Sequence, residues 1–483
     1  MKEETGYVPT IGLEIHAELK THTKMFCDSK NDPDETRPNV NVCPVCMAHP
    51  GTLPVINGEA VRSVLKVGIA LKSQLADYTE FDRKNYFYPD LPKGYQLSQY
   101  EYPLVSGGEL EGVAITRVHL EEDTASSIHS ESTGETAIDY NRAGVPLMEL
   151  VTDPVITSAE HAGRFARELQ LLLRTLGVSD ADMEKGQMRV EANVSVGKDG
   201  VLGTKVEIKN LNSFNAMERA VRYEIERQKK ALERGESIVQ ETRGWDENKQ
   251  ATFSQRVKEG SADYRYFPDP DLPSLKISEI ESYRRETLES DMPELPWERR
   301  ARYQGFGVKA EDAAAFVRDP ALANLFESSI EAFRSDEKSI LLAANYIAND
   351  IVSLSRDIMN RETQDQHEIP ISAQNFNKII ALVRHGKISS RAAKDMLVAY
   401  GNGELLNPEE YVRVHALSQE DVSGKIAEVV GRIIAENPKV VADIKSGKTA
   451  GVQFIFGLCM RELKGAADPQ ALKAIIEDSL RNS

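Results

Sequence analysis

The chain has 483 residues and a formal net charge of −17 at pH 7, with 41% hydrophobic and 28% charged residues. This is the composition of a soluble globular protein of about two to four domains, and its acidity does not favour a surface dominated by nucleic acid contacts. No apolar run approaches the ~20 residues of a membrane span, the N-terminus does not resemble a secretory signal, and four cysteines do not resemble a disulfide framework, so we expect a cytoplasmic protein without a membrane segment.

The first predicted strand, IGLEIHAEL (11–19), places polar side chains on one face. Strand alternation puts Glu14, His16 and Glu18 on the same side. Two carboxylates and an imidazole suit a divalent cation. A solvated sheet face explains the same alternation, and taken alone it is the simpler interpretation.

Three cysteines near the N-terminus resemble part of a zinc site. Cys43 and Cys46 form a C-x-x-C pair, and Cys27 lies sixteen residues upstream. A closed structural site needs a fourth ligand, for which Asp28 and His49 are the candidates. The alternative is a set of reduced, unligated cysteines.

Further runs with a period of two predict a largely antiparallel sheet with one solvent-exposed face, interrupted by a few helices. They are ITRVHLEED (115–123), MRVEANVSV (188–196) and TKVEIKN (204–210). Ser158 begins a helix that stops at Gly177. The polar positions of these strands predict a charged cleft over the sheet without naming a reaction; they are Glu121, Glu122, Asp123, Arg189, Glu191, Asn193, Ser195, Lys205, Glu207 and Lys209.

The segment KNLNS (209–213) joins a predicted strand to a helix that begins near Phe214. A helix N-terminus can hold a phosphate or a carboxylate, but an ordinary helix cap explains Asn212 and Ser213 equally well. The chain has neither GxxxxGK[ST] nor a GxGxxG between a strand and a helix, and no recognisable nucleophile for amide hydrolysis. Any bound ATP must therefore be held by metal ions and side chains.

The run ADYRYFPDPDLP (262–273) combines aromatic and basic residues. Such a run can stack a terminal base or contact an RNA backbone, and packing within a loop is an equally good explanation.

A proline-rich stretch, MPELPWERR from Met292, marks a domain boundary. We therefore predict an α+β domain over residues 1–293, a helical domain over 294–402 and a helical tail domain over 403–483. Residues 406–483 contain 10 Lys and Arg against 11 Asp and Glu, or −1, which leaves −16 on the first 405 residues. The less acidic tail is the better candidate for RNA contact.

Read together, these segments resemble the GatB family, the B subunits of aspartyl/glutamyl-tRNA amidotransferases, along essentially the whole chain. The most specific matches are FDRKNYFYPDLPKGYQ (81–96) and DYNRAGVPLMEL (139–150), supported by RVHLEED (117–123), RVEANVS (189–195) and PELPWERRARY (293–303). The end, GLCMRELKGAADPQ (457–470), resembles the family's tRNA-binding helical tail, which is related to YqeY. No synthetase-like insertion interrupts the helical half, unlike the archaeal relative GatE.

The resemblance implies one member of a heterotrimer. A partner amidase would hydrolyse glutamine, and a small third protein would wrap around both. This chain would use ATP and Mg²⁺ to phosphorylate the side-chain carboxylate of Glu-tRNA(Gln), Asp-tRNA(Asn) or both, and the ammonia would then give Gln-tRNA or Asn-tRNA. Its sequence does not choose between the two misacylated tRNAs.

The resemblance also implies site residues. The predicted Mg²⁺ ligands are Glu14, His16 and Glu122; the predicted catalytic residues are Lys84, Glu122, Glu191 and Asn193; and the predicted nucleotide-binding residues are Lys84, Lys209 and Asn212. For a structural Zn²⁺ the predicted ligands are Cys27, Cys43, Cys46 and His49. Many relatives have a cysteine where this chain has Ser29 and an apolar residue where it has His49, so His49 is predicted to replace the missing thiolate.

Two other functions fit the same residues. One is a non-catalytic RNA-binding scaffold, which would not depend on Glu14 or His16. The other is a self-sufficient ATP-dependent amide ligase, which would act on free glutamate without tRNA.

Overall fold

The computed structural model describes residues 6–130, 132–198, 200–257, 263–359, 369, 371–404, 406–445, 450–463, 467 and 469–482. The chain divides into two compact units, Met1–Pro296 and Trp297–Ser483. The first unit is rich in strands and the second is helical, as expected of an α+β protein. Within the described residues, no helix is long and apolar enough to cross a membrane.

The first unit contains seventeen strands among its described residues. They are β1 (Tyr7–Glu18), β2 (Gln74–Leu75), β3 (Tyr78–Thr79), β4 (Asp82–Asn85), β5 (Tyr95–Ser98), β6 (Val105–Ser106), β7 (Glu109–Leu110), β8 (Val113–Glu122), β9 (Ser126–His129), β10 (Thr136–Asp139), β11 (Pro146–Thr152), β12 (Met188–Lys198), β13 (Val206–Leu211), β14 (Glu241–Asp246), β15 (Ala251–Val257), β16 (Phe267–Pro268) and β17 (Leu275–Lys276).

Sixteen α-helices lie in the described residues of the two units. They are α1 (Gly58–Ala70), α2 (Ala159–Thr175), α3 (Phe214–Glu233), α4 (Arg285–Ser290), α5 (Pro296–Gly305), α6 (Ala310–Arg318), α7 (Pro320–Ala332), α8 (Glu337–Tyr346), α9 (Val352–Met359), α10 (Ala373–Arg384), α11 (Ser390–Gly401), α12 (Pro408–Val414), α13 (Gln419–Glu436), α14 (Pro438–Lys445), α15 (Ala450–Glu462) and α16 (Pro469–Asn482).

The main sheet is antiparallel except at one pair of strands. Its order is β15-β14-β13-β12-β1-β11-β8-β6-β2, with β7 also paired to β8. Only β13 and β14 run parallel among the pairings in the described chain, and α3 connects them because a parallel pair needs a crossover. The mainly antiparallel sheet predicted from alternation is thus confirmed. Helix α3 packs on β12 and β13, and helix α1 packs on β8 and β6.

The local signals for helix ends also hold. The side chain of Ser158 accepts a hydrogen bond from the backbone N–H of His161 at the start of α2, and Gly177 follows the helix with a φ of +68°, a left-handed conformation that glycine adopts at little cost. Ser213 caps α3 by accepting from the N–H of Ala216. Of the two interpretations left open for Ser213, the helix cap is observed.

The helical unit has its own apolar core. Helices α13, α15 and α16 pack around Val430, Ile455, Cys459 and Ile476, all of them buried. Cys459 is therefore a core residue. Asp468, which precedes Pro469 at the start of α16, lies outside the described residues.

Candidate functional site

The strand register places four polar side chains in one row across the sheet. Glu149 on β11 lies opposite His119 on β8 and opposite His16 on β1, and His16 lies opposite Arg189 on β12. Directly opposed residues of antiparallel strands project from the same face. Side chains from four strands far apart in sequence are therefore neighbours by backbone pairing alone.

Five side chains from this face form a cluster, here called the acidic centre: Glu14, His16, His119, Glu121 and Glu149. The Nε2 atom of His16 lies 3.5 Å from a carboxylate oxygen of Glu149 and 3.6 Å from one of Glu121. The Nε2 atom of His119 lies 3.3 Å from the same Glu149 oxygen. Glu149 and Glu121 are buried, so three carboxylates and two imidazoles converge where water screens them poorly.

The pKa values in the acidic centre reflect this crowding. Burial alone lowers the pKa of His16, but its hydrogen bond with Glu149 and the charges of Glu121 and Glu14 raise it to about 9. Burial, and then the repulsion of Glu149, raise the pKa of Glu14. Burial opposes ionisation of Glu149 as well, yet His119 and His16 hold its pKa well below the usual range. The ionisation states of Glu14, His16 and Glu149 therefore depend on one another.

A cation would relieve the repulsion among the three carboxylates of the acidic centre. Two overlapping groups bring their ligand atoms within 4.8 Å of one another, Glu14 with His16 and Glu149, and His119 with Glu121 and Glu149. The Nδ1 atom of His119 is buried and finds no hydrogen-bond partner in the described part of the chain. Carboxylate oxygens with imidazole nitrogens are a donor set for a divalent metal, so these residues fit Mg²⁺ chemically.

Cationic side chains line the same cleft, whose volume is about 450 Å³. We call Lys84, Arg117, Arg189, Lys205 and Lys209 the cationic rim. Burial by itself lowers the pKa of Lys84, but Glu121 and Glu149 raise it, with the result that it stands above its ordinary value. A cleft that combines metal-type ligands with fixed positive charges is suited to phosphate groups.

Two members of the cationic rim, Lys209 and Arg189, are held by ion pairs with the sheet. Lys209 contacts both carboxylate oxygens of Glu191, at 2.9 and 2.8 Å. Arg189 donates a hydrogen bond of 2.6 Å to the buried carboxylate of Asp123. Burial raises the pKa of Asp123, but the charges of Arg189 and Arg142 outweigh burial and lower it. The ionised carboxylate therefore fixes Arg189 at the edge of the cleft.

The structure corrects the predicted position of Glu122. Alternation along β8 sends His119 and Glu121 to the cleft and Glu122 to the opposite side. There Glu122 accepts hydrogen bonds from the Nζ of Lys93 at 2.7 Å and the N–H of Leu97 at 2.9 Å. It lines a separate cavity of about 300 Å³ and does not join Glu14 and His16. Glu149 takes that place.

The other predicted residues divide in the same way. Lys84, Glu191, Asn193 and Lys209 line the cleft. Asn212 does not line it; the side chain is exposed at the end of β13, so the prediction that Asn212 binds the nucleotide is not supported by its position. The expected solvated face is also wrong for Glu121, which is buried. The Nε2 atom of His16 lies 3.6 Å from its carboxylate, and the hydroxyl of Ser98 donates to it over 3.3 Å.

Sequence reasoning missed His119 and Glu149. His119 stands in the run RVHLEED and shares the parity of Glu121. Glu149 is a single carboxylate in the otherwise apolar strand PLMELVT. Because a carboxylate is almost never buried unless it is paired, that isolated position was itself a signal.

The three N-terminal cysteines are brought together. The Sγ atoms of Cys27, Cys43 and Cys46 lie within 4.8 Å of one another, and the N–H of Cys43 donates to the Sγ of Cys46 over 3.1 Å. A hydrogen bond from Cys27, and more weakly the charge of Lys24, lower the pKa of Cys46 to about 4. A thiolate is the metal-binding form of cysteine, so the three sulfurs fit zinc.

His49 does not complete this set. The groups beside the Sγ of Cys46 are the Oγ of Ser29 and the Nζ of the buried Lys24, each at 3.8 Å. His49 belongs to no metal-ligand group within the described residues, although it lines the same cavity as Cys27 and Cys46. Its backbone N–H donates to the carbonyl of Pro44. The arrangement of ligand atoms therefore does not support His49 as the fourth ligand, and that assignment stays a prediction.

Comparisons with known proteins show the family of the chain. Residues 9–282 match the family model described as the GatB/GatE catalytic domain, and residues 324–480 match the model described as the GatB domain. Three similar proteins are named as B subunits of aspartyl/glutamyl-tRNA(Asn/Gln) amidotransferase. They are from Thermomicrobium roseum (43% identity, covering 98% of both chains), Thermus thermophilus (41%, 98% of this chain and 99% of the relative) and Rippkaea orientalis (40%, 99% and 98%). The chain belongs to the GatB family of amidotransferase B subunits.

Proposed function

We propose that this chain phosphorylates and then amidates the side-chain carboxylate of a glutamate or aspartate esterified to tRNA. The observation that carries the proposal is the acidic centre beside the cationic rim within one cleft of about 450 Å³. The names of the similar proteins supply the substrate class, misacylated tRNA for Asn and Gln.

Activation by phosphate explains why both halves of the cleft are needed. Ammonia cannot displace an oxide from a carboxylate, so a carboxylate oxygen first attacks the γ-phosphorus of ATP and the bond to ADP breaks. The nitrogen of ammonia then attacks the acyl carbon, the C–O bond breaks, and phosphate leaves with its electron pair. Lys84 and the other cations of the rim are placed to stabilise negative charge on the transferred phosphoryl group.

The acidic centre would hold Mg²⁺ through Glu14, His16 and Glu149, with His119 and Glu121 adjacent. When bound, the ion supplies charge neutralisation and orientation of the phosphates. Glu191 and Asn193, on the neighbouring strand, would position the substrate, and Lys209 would contact phosphate from the same edge. The three cysteines would hold a structural Zn²⁺ away from the cleft.

The ammonia would come from another protein of the same complex. The sequence contains no recognisable amide-hydrolysing nucleophile, and the similar proteins are named as B subunits, which makes them parts of a multi-subunit enzyme. We propose an amidase and a small third protein as the partners in a heterotrimer, and a tRNA-binding role for residues 403–483 after the helical residues 294–402.

The test uses the complex reconstituted with its partners. We would measure release of phosphate from ATP and formation of amidated aminoacyl-tRNA, with glutamine and each misacylated tRNA in turn. His16→Ala and Glu149→Gln should each lose more than ~100-fold in rate, on the order of removing one charged group that stabilises a transition state. Glu226→Gln, an exposed carboxylate on α3, is the matched control and should retain full rate.

The outcomes separate the alternatives. Wild-type rates in both cleft variants would support a scaffold and contradict the catalytic assignment. Amidation of free glutamate without tRNA would support a self-sufficient ligase. Glutamine hydrolysis by the isolated chain would contradict the need for a partner amidase.

A further inference from the structure

Four tyrosines form one side of the cleft, and neither the acidic centre nor the cationic rim accounts for them. Tyr86, Tyr100, Tyr264 and Tyr266 all line the cavity, and we call them the tyrosine wall. They come from three segments of the chain that a small sheet, β16-β4-β5, brings together. Aromatic groups gathered at a charged cleft call for a ligand with a flat apolar part.

The rings of the wall contact one another in series. Tyr100 and Tyr266 are stacked, with ring centroids 4.3 Å apart and planes 9° from parallel. Tyr266 meets Tyr264 edge to face at 6.0 Å, and Tyr264 meets Tyr86 in the same way at 6.0 Å. Such contacts fix ring orientation before a ligand arrives, which lowers the entropy lost on binding.

Backbone contacts hold the wall in place. The N–H of Tyr100 donates to the buried carboxylate of Asp82 at 2.9 Å. The side-chain amide of Asn85 donates to the carbonyls of Tyr264 and Arg265 at 3.3 and 2.8 Å. Strand β4 thus anchors both segments, so the tyrosines are a built feature of the cleft and not a mobile loop packed by chance.

Tyr100 remains open to a ligand. One face of its ring is covered by Tyr266, yet 57% of the residue is exposed. An exposed aromatic ring with a rigid partner behind it is a platform for a second flat ring. Burial, together with the charges of Glu121 and Glu149, raises the pKa of Tyr266 to about 12 although Lys84 lowers it, so this phenol is neutral at pH 7. The tyrosine wall and the acidic centre line the same cavity.

The charge of the cleft indicates which class of ligand with a flat ring fits it. Lys84 lies 5.2 Å from the centre of the Tyr264 ring, where it faces both the wall and the carboxylates. A ligand that spans these groups needs an aromatic part at the tyrosines and an anionic part at the lysine. Nucleotides have this combination, because their base is a flat ring and their phosphates are anionic.

We infer that the tyrosine wall stacks the adenine ring of an adenosine nucleotide through Tyr100. This rests on the proposed function, in which two substrates end in adenosine, ATP and the 3′ terminus of tRNA. Stacking does not distinguish one base from another, because every base has a π-face. The tyrosine wall would therefore add affinity for the nucleotide, and other contacts would recognise the base.

The experiment compares Tyr100→Ala with Tyr100→Phe in the reconstituted complex. Binding is measured without turnover, using ATP and tRNA that carry 2-aminopurine in place of adenine, because stacking on an aromatic ring quenches its fluorescence. Tyr100→Ala should weaken one of the two probes ~10-fold, the loss expected for one base–aromatic stack. Tyr100→Phe should bind as the wild type does, since it keeps the ring.

A neighbouring tyrosine gives the matched control. Tyr102 is also exposed, at 44%, but packs edge to face on Tyr78 and does not line the cleft. Tyr102→Ala should leave both probes unchanged. Loss confined to the ATP probe or to the tRNA probe identifies the adenosine concerned, and either result supports the inference.

Three results would overturn it. They are unchanged affinity of both probes in Tyr100→Ala, an equal loss in Tyr102→Ala, and binding of both probes without quenching. Failure of the proposed function would instead appear as wild-type complex that binds both probes yet forms no amidated tRNA.

Discussion

Glu149 holds the acidic centre together, so replacing it changes how His16 titrates. A pKa of about 9 for His16, against an ordinary 6.5, corresponds to about 3 kcal/mol of stabilisation at about 1.4 kcal/mol per pKa unit. Because the folded pKa is the higher one, this stabilisation is fully present below pH 6.5 and is lost as the pH rises through about 9. Glu149 supplies the largest favourable contribution.

We therefore expect Glu149→Gln to lower the pKa of His16 by about one unit or more, equivalent to ~1.4 kcal/mol. The assay is a pH titration of the metal-free chain, labelled with ¹⁵N in its histidines and followed by NMR with assignment through His16→Ala. Unfolding by denaturant, measured at pH values on both sides of the transition, should show the same loss on the acidic side. Glu226→Gln should change neither measurement.

The reasoning is refuted if His16 of the wild type titrates at or below its ordinary pKa of 6.5. It is also refuted if Glu149→Gln leaves the titration in place, because Glu121 and Glu14 would then suffice. Reduced stability with an unchanged titration would show that Glu149 acts by packing and not by charge.

Three further predictions concern other parts of the chain. Native mass spectrometry should find one zinc per chain, and His49→Leu should keep it. Ser29→Cys should bind zinc more tightly, because it adds a thiolate beside the other three. Loss of zinc in His49→Leu would show instead that His49 is a ligand. Truncation after Leu405 should leave a folded core that binds tRNA more weakly in filter retention at fixed salt, and unchanged affinity would exclude the tail from the RNA surface. Arg189→Met should lower the free energy of unfolding by about 2 kcal/mol. This is less than the roughly 3–5 kcal/mol of a fully broken buried pair, because Arg142 remains 3.6 Å from Asp123. A stability equal to that of the wild type would mean that Arg142 alone compensates.

The sequence predicts much of the fold because its signals are local. The cap at Ser158, the stop at Gly177 and the alternation of β1 depend on neighbours within a few residues. The partner of His16 depends instead on which strands pair and in which register, and neither is encoded in a short window. For that reason parity alone could not choose among Glu121, Glu122 and Asp123.

The same limit applies to the cysteines and the tyrosines. Spacing predicted that Cys27, Cys43 and Cys46 would meet. It did not predict that Lys24 would lie beside them, because neither alternation nor composition singles out this residue. The run 262–273 left base stacking and packing within a loop equally open, and its first residue, Ala262, lies outside the described residues. Its connection with Tyr100 depends on the pairing of β16 with β4.

The row from His119 to Arg189 also determines where the chain tolerates changes of length. Side chains alternate along a strand, so deleting one residue from the middle of β11 would turn Glu149 toward the helix-packed side and present an apolar neighbour to the cleft. A residue added to the loops that join these strands costs little, because closure entropy grows slowly with loop length. Insertions for tags, probes or crosslinkers therefore belong in the connections between strands, such as the one between β9 and β10. The lengths of the four paired strands β8, β11, β1 and β12 must stay unchanged.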